Sequence, residues 1–277
     1  MAERFTGLLR PNRGVPGVTA PTRGRLPRIG GEASFAGPSP KLGHVLDANT
    51  VALWRFDELV ASTNAVDLTG NYTLNQYGNP THAVGQVDGG RFLDGSTMFF
   101  QRQGDLALGT ALNGDSSIEF WVKVSNTTGG AVLFVYNGLN FTVYPADVIL
   151  AEVGIDNAGL IHVRQWQDMI TNSTMYATGP ISFNTWHHIA VTRQRYFPYW
   201  FTKLFIDGVL NTTGYLWGPV VPVLGDFHYI GVGNYTTNAG LGNGNGLLTG
   251  VVDDTRISNV VRTPGEVLYS YQRGLGG

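Results

Sequence analysis

The sequence predicts an all-β protein: a two-sheet antiparallel sandwich preceded by an extended N-terminal arm and closed by a short C-terminal helical turn. Three observations carry this expectation. Short apolar runs of strand type recur between residues 51 and 233, separated by Gly, Asn, Asp and Thr. A single segment near the C-terminus has a good helix signature. The composition also changes abruptly near residue 46.

The arm, residues 1–46, holds seven Lys and Arg against two acids, a balance of +5 that leaves −7 for residues 47–277. Six prolines and eight glycines accompany two aromatics, Phe5 and Phe35, with neither helical nor alternating periodicity. Such a segment cannot bury enough surface to order itself. It therefore reads as an anchoring arm laid on another chain or on its own body. Its arginines, among them Arg10, Arg13, Arg23, Arg25 and Arg28, are dispersed among Pro and Gly without interleaved aromatics, so no nucleic-acid platform is expected. The opening residues carry charges on both sides of a very short apolar pair, and the ordinary secretion route is expected to be unused. With no window near the ~18 apolar residues of a membrane span, the chain is expected to be soluble.

The strand runs follow in order: VALWRF (51–56), SIEFWVKV (117–124), AVLFVY (131–136), HHIAVTR (187–193), KLFIDG (203–208) and FHYIGVG (227–233). In SIEFWVKV, Ile118, Phe120, Val122 and Val124 share one face while Glu119, Trp121 and Lys123 share the other, which is period two with its apolar side toward a core. Asp207-Gly208 between two apolar runs predicts a hairpin, because a type I′ turn needs positive φ at both central positions. TPGEVLYSYQR supplies the helix: Thr263 caps, Pro264 takes the first position and Glu266 completes a capping box. It is short and expected on the rim. The chain contains no cysteine, so disulfides and thiolate metal sites are excluded and stability rests on packing, pairing and oxygen-ligated ions.

These segments, in this order, resemble the laminin-G-like branch of the concanavalin-A-like lectin/glucanase jelly rolls. VALWRF is followed by a D-x-T-G segment (Asp67, Thr69, Gly70), GRFLDGSTMFF, SIEFWVK, the Trp186-His187-His188 strand, KLFIDG, IGVGN and GVVDDTRISN. The likeness runs from about residue 49 to 273, and the succession is more specific than any one motif. It implies a jelly roll in which the Trp-His-His segment is a core strand, with Trp186 filling space near the sheet edge and one histidine hydrogen-bonded below the loops. No spacing such as H-E-x-x-H supplies a further ligand for the pair.

The resemblance also implies a calcium ion at one rim, on Asp67 and on Asp253 or Asp254, with Asp57 and Glu58 as helpers. Against this, Asp67 and Asp94 also read as turn residues, and one of Asp253 and Asp254 as a partner of Arg256 or a cap. The fold houses glucanases too, which need two carboxylates about 5–5.5 Å apart for retaining hydrolysis. The nearest pair, Glu152 and Asp156, is interrupted by a glycine and finds no partner set, so an enzyme is not expected. The most conspicuous local feature is RQRYFPYWFTK, in which Tyr196, Phe197, Tyr199, Trp200 and Phe201 form a ligand platform or a subunit contact, or cover the end of the sandwich.

Together these readings predict a non-enzymatic structural protein of a virus particle, of bacteriophage type. The arm would hold a capsid or tail protein, and the lectin-like domain, in a homo-oligomer such as a trimer, would project at the virion surface. The alternative is a calcium-dependent carbohydrate-binding module of an adhesin or receptor-binding protein, with a host-surface glycan as ligand.

Overall fold

The computed structural model describes residues 39–59, 63–103, 108, 111–126, 130–139, 147–166, 172–217, 227–233 and 246–276. The arginines assigned to the arm lie outside these residues. In chain order the strands are β1 (Thr50–Trp54), β2 (Asn75–Tyr77), β3 (Thr81–Val84), β4 (Gly89–Asp94), β5 (Phe99–Gln103), β6 (Ser116–Asn126), β7 (Ala131–Leu139) and β8 (Asp147–Ile155). They continue with β9 (Ile161–Trp166), β10 (Asn172–Tyr176), β11 (His187–Tyr196), β12 (Tyr199–Ile206), β13 (Val209–Trp217), β14 (Phe227–Val232) and β15 (Thr249–Ser258), followed by helix α1 (Pro264–Leu275).

The strands form two antiparallel sheets. One runs β13-β12-β11-β6-β15-β4-β3, with β1 also paired to β15; the other runs β10-β9-β8-β7-β14-β5-β2. Period-two alternation packs them face to face. Ile118, Phe120, Val122 and Val124 of β6 share one buried cluster with Val132, Phe134 and Tyr136 of β7 and Val153 and Ile155 of β8. The predicted hairpin forms, with Asp207 and Gly208 at φ 53° and 75° and Ile206 opposite Val209.

The other face of β6 is also buried, which its alternation with charged residues did not announce. Glu119 and Trp121 are 0% and 1% exposed. Helix α1 covers them. Its capping box is complete, Thr263 accepting from the Glu266 N–H while Glu266 accepts from Thr263. Val267 packs with Ala190 and Phe205 on the outer face of the first sheet. The Tyr271 ring stacks 5.6 Å from that of Trp121. A Cβ on Gly274 would overlap the Trp121 indole, so the helix approaches this closely only because its last turn carries glycine. The helix thus lies on a sheet face rather than on the rim. Beside it runs the segment from residue 39 to 49, held by the Leu42 N–H to the Arg273 carbonyl at 2.8 Å and by the buried His44.

Candidate functional site

Three features of the first sheet bear on function: a gap along β15, a buried histidine pair and an exposed aromatic ladder.

The gap arises because β15 changes partners along one edge. Residues 249–252 pair with β4 and residues 255–258 with β1, and the register to β6 breaks between Asp253 and Arg256. Asp254 occupies the break at φ 44°, a left-handed conformation that Asp tolerates better than most residues. The irregularity sends the two neighbouring carboxylates to different surroundings. Asp253 faces the β3–β4 loop, where its Oδ2 accepts the Val87 N–H at 2.8 Å, while Asp57 Oδ1 accepts the Gly89 N–H at 2.9 Å. Burial, reinforced by Asp254 and Asp57 against the pull of the Val87 amide, pushes the Asp253 carboxyl up to about 9. Burial also raises Asp57, opposed by the Gly89 N–H. Asp253 Oδ1 is buried with no hydrogen-bond partner. An oxygen-rich, crowded pair with a vacant acceptor is the donor chemistry a hard divalent cation accepts.

Asp67 belongs elsewhere. Its Oδ1 accepts from the Leu53 and Thr69 N–H groups at 2.8 and 3.1 Å. Its Oδ2 accepts from Thr69 Oγ1 and from the Asn71 and Tyr72 N–H groups. A carboxylate so committed knits the loop after β1 and does not fit a calcium ligand. Glu58 accepts the Val66 N–H and pairs with Arg91 at 3.4 Å, and Asp94 closes the turn at Ser96, Thr97 and Met98. Asp254 is likewise engaged, with His44 Nδ1 at 2.9 Å and Arg55 at 3.2 Å. Burial works against its charge, but His44 and Arg55 outweigh this and hold its carboxyl below the usual value.

The Trp-His-His segment divides its histidines. His187 Nδ1 meets Asp207 Oδ2 at 2.8 Å and steadies the hairpin; the half-buried Trp186 lies under the Lys123 ammonium, 5.4 Å from its ring centre. His188 turns to the outer face, where antiparallel register places Ala190 opposite Glu119 and His188 opposite Trp121, so that His188 and Glu119 are diagonal neighbours. His188 Nε2 lies 3.1 Å from His44 Nε2 and 3.9 Å from Glu119 Oε1. Glu119 Oε2 is held by Arg256 through Nε at 3.1 Å and through Nη2. Burial lowers His188 to about 3, with His44 acting in the same direction. Burial opposes ionisation of Glu119, but His44, Arg256 and His188 hold it below its ordinary value. Sequence reasoning sought a further ligand for the histidines by local spacing. The partners come instead from Glu119 on the adjacent strand and from His44, 144 positions away.

The aromatic run separates by parity. Trp200 is 1% exposed and faces inward with Leu204, with Arg195 5.5 Å from its ring centre, so it drops out of the predicted platform. Tyr196, Tyr199 and Phe201 share the outer face, where they meet two residues the sequence reading missed, Tyr215 and Trp217 of β13. The ring pairs are Tyr199 with Trp217 at 4.4 Å and Phe201 with Tyr215 at 5.0 Å. Tyr196, Phe197, Tyr215 and Trp217 are 51%, 65%, 64% and 37% exposed.

The nearest candidates for hydrolytic carboxylates are both structurally engaged. Glu152 is buried in β8 against His162 at 2.9 Å and Arg164 at 3.6 Å. Asp156 accepts the Ala158 and Leu160 N–H groups of the following turn.

Two face-packed antiparallel sheets with a solvent-facing aromatic ladder define a lectin-type jelly roll. The chain belongs to the Laminin_G_3 family of the Concanavalin A-like lectin/glucanases superfamily, whose pattern matches residues 100–268. Among solved structures it is similar to domain 4 of AbnA, a GH43 extracellular arabinanase from Geobacillus stearothermophilus in complex with arabinotriose. That match has 18% identity, TM-score 0.56, and covers 81% of this chain and 98% of that domain. It is also similar to Trypanosoma rangeli sialidase, with 14% identity, TM-score 0.58, and coverage of 85% of this chain and 36% of the sialidase. The binding domain of botulinum neurotoxin serotype D gives 15% identity and TM-score 0.55, covering 81% of this chain and 51% of the toxin domain. At these identities the likeness is one of fold. No curated protein matches the sequence.

Proposed function

We propose that the sandwich is a non-catalytic glycan-binding module whose sugar platform is the ladder of Tyr196, Tyr199, Phe201, Tyr215 and Trp217. The ladder carries this reading: aromatic faces cover sugar rings, and these rings stand paired on one sheet face with Tyr215 64% exposed. The engagement of Glu152 and Asp156 in structural contacts supports a binding role over hydrolysis. The arabinanase domain solved with arabinotriose lends the fold a precedent for sugar contact. Calcium, if bound, falls to Asp57 and Asp253 rather than to Asp67 and Asp254, and would order the β3–β4 loop. A glycan array followed by titration calorimetry tests the proposal. Trp217→Ala and Tyr215→Ala should each abolish measurable sugar binding with the fold intact, and binding unchanged in both would overturn it. Chelation with EDTA followed by calcium return shows whether the ion takes part, because Asp253→Asn should remove any thermal shift on calcium addition.

The division of charge, +5 in residues 1–46 against −7 in the remainder, favours a second reading that is compatible with the first. In it the chain is a virion structural protein, capsid-decorating or tail-associated. It is anchored on a capsid or tail protein through Arg10, Arg13, Arg23, Arg25 and Arg28, and a homo-oligomer such as a trimer displays the sandwich at the virion surface. Limited trypsin digestion addresses it. Rapid cleavage in the isolated protein, leaving a stable fragment from residue 29, supports an arm that orders on a partner. Resistance at Arg13, Arg23, Arg25 and Arg28 counts against it.

A further inference from the structure

We infer that His44, Glu119 and His188 form a binding site for a zinc-type divalent transition metal, which pins the segment before β1 onto the outer face of the first sheet. All three side chains are buried, at 1%, 0% and 0% exposure, and their ligand atoms lie within 4.8 Å of one another. Two imidazole nitrogens on a tetrahedral ion with bonds of ~2.0–2.1 Å stand about 3.3–3.4 Å apart. His44 Nε2 and His188 Nε2 are at 3.1 Å. Glu119 Oε1, 3.9 Å from His188 Nε2 and within 4.8 Å of the His44 ligand atom, has to close by about half an ångström on the first edge and by up to about 1.5 Å on the second to complete that geometry. It is unpartnered and buried, while Arg256 holds the other carboxylate oxygen.

The hydrogen bonding of the metal-free arrangement does not close. Asp254 Oδ2 accepts the His44 backbone N–H and stands 2.9 Å from His44 Nδ1; that nitrogen is not aligned for a hydrogen bond, but the carboxylate charge beside it favours the proton there and so a lone pair on His44 Nε2. His188 must then turn its own Nε2–H to His44, and Glu119 Oε1 remains an acceptor without a donor in a site where such a group is costly. A cation at the centre takes all three lone pairs at once. Asp254 then acts as the outer carboxylate that orients a ligating histidine, and Arg256 does the same for the ligating glutamate. Two imidazoles and one carboxylate suit zinc and its neighbours better than calcium, so this site is chemically separate from the oxygen-only pair Asp57 and Asp253. The inference does not rest on glycan binding.

The test uses the full-length chain without a polyhistidine tag, stripped with EDTA and reloaded with zinc chloride in the presence of excess calcium chloride. Elemental analysis after gel filtration should find about one zinc per chain, and the melting temperature should climb with each tenfold increase in free zinc, as linkage requires. Cobalt chloride in place of zinc should give the visible absorption of a tetrahedral nitrogen- and oxygen-ligated ion. His44→Ala, which alters no strand, should lose the bound zinc, the melting response and the cobalt spectrum while keeping the β-type circular dichroism. Asp254→Asn, a change in a positioning residue, should weaken zinc about 10- to 100-fold. Failure of the wild-type chain to retain zinc, or retention in His44→Ala equal to wild type, would overturn the assignment. Glu119→Gln, which removes the charge of the carboxylate ligand, should lose the bound zinc likewise, and if it does not fold the His44 variant decides alone.

Discussion

The two ends of one sheet face differ sharply although the strands beneath them are the same. At one end of the outer face of β11 and β12, Ala190 and Phe205 are fully buried under Val267. Farther along the same strands, Tyr196, Tyr199 and Phe201 continue the face without the helix above them, and Tyr196 is 51% exposed. Apolar content does not separate the ends, because the open one is richer in large rings. What separates them is cover: α1 and residues 39–49 reach one end only. Where cover exists, the sheet has accepted a carboxylate and a histidine into its outer layer, with a second histidine supplied by the covering segment; where none of the described residues lies above it, apolar rings stand in solvent, the usual mark of a contact surface.

The contrast can be broken first at the covered end. Phe205→Ala removes a fully buried ring from beneath the helix and should cost about 3–5 kcal/mol in chemical denaturation, the range for such truncations. A loss below ~1 kcal/mol would mean that α1 is not seated on this face. Next comes the helix start, where Thr263→Ala deletes the cap and should cost about 1 kcal/mol. At the open end, Trp217→Ala should change stability by no more than about 0.5 kcal/mol, as for other surface positions, while acting on ligand binding. A larger stability loss would assign the ladder to packing rather than recognition.

Acid provides a further comparison. Burial raises Asp94, but the N–H groups of Thr97, Met98 and Ser96 overcome it, and its carboxyl ends well below the ordinary aspartate range. Glu266 is lowered chiefly by the Thr263 N–H and hydroxyl. A depressed carboxyl contributes stability that is present above its unfolded value and lost as pH falls through the folded one. The wild-type chain should therefore weaken progressively below about pH 4. Asp94→Asn should be less stable than wild type at neutral pH and converge with it in acid, as read from denaturation midpoints. A constant difference across that range would mean the turn does not need the charge.

Much of the fold was legible because its determinants are local. Alternation located β6, the Asp-Gly pair fixed one hairpin, and the Thr-Pro-Gly-Glu sequence set the start of α1. Parity would also have placed Trp200 inside, since Thr202 and Leu204 share its face and are buried. The polar face of β6 misled for a different reason: alternation says which residues share a side, not what lies over that side. The resemblance left Asp253 and Asp254 as alternatives, and only the change of strand partner along β15 tells them apart, sending Asp253 to the β3–β4 loop and Asp254 to His44 and Arg55. Residue 44, set among Pro and Gly, carried no signal that its imidazole would meet a strand 144 positions later.

That last contact has a practical consequence for where the sandwich begins. Composition puts the boundary after residue 46, and a fragment cut there would keep every strand. It would also bury Asp254 without its imidazole, remove the Val45 carbonyl from Arg256, and leave the Trp121 side of the sheet without the segment that closes beside α1. A fragment beginning at Ser39 keeps all of these. Expression yield and melting temperature of the two fragments would show that eight residues of seemingly featureless leader are, in folding terms, the edge of the domain itself.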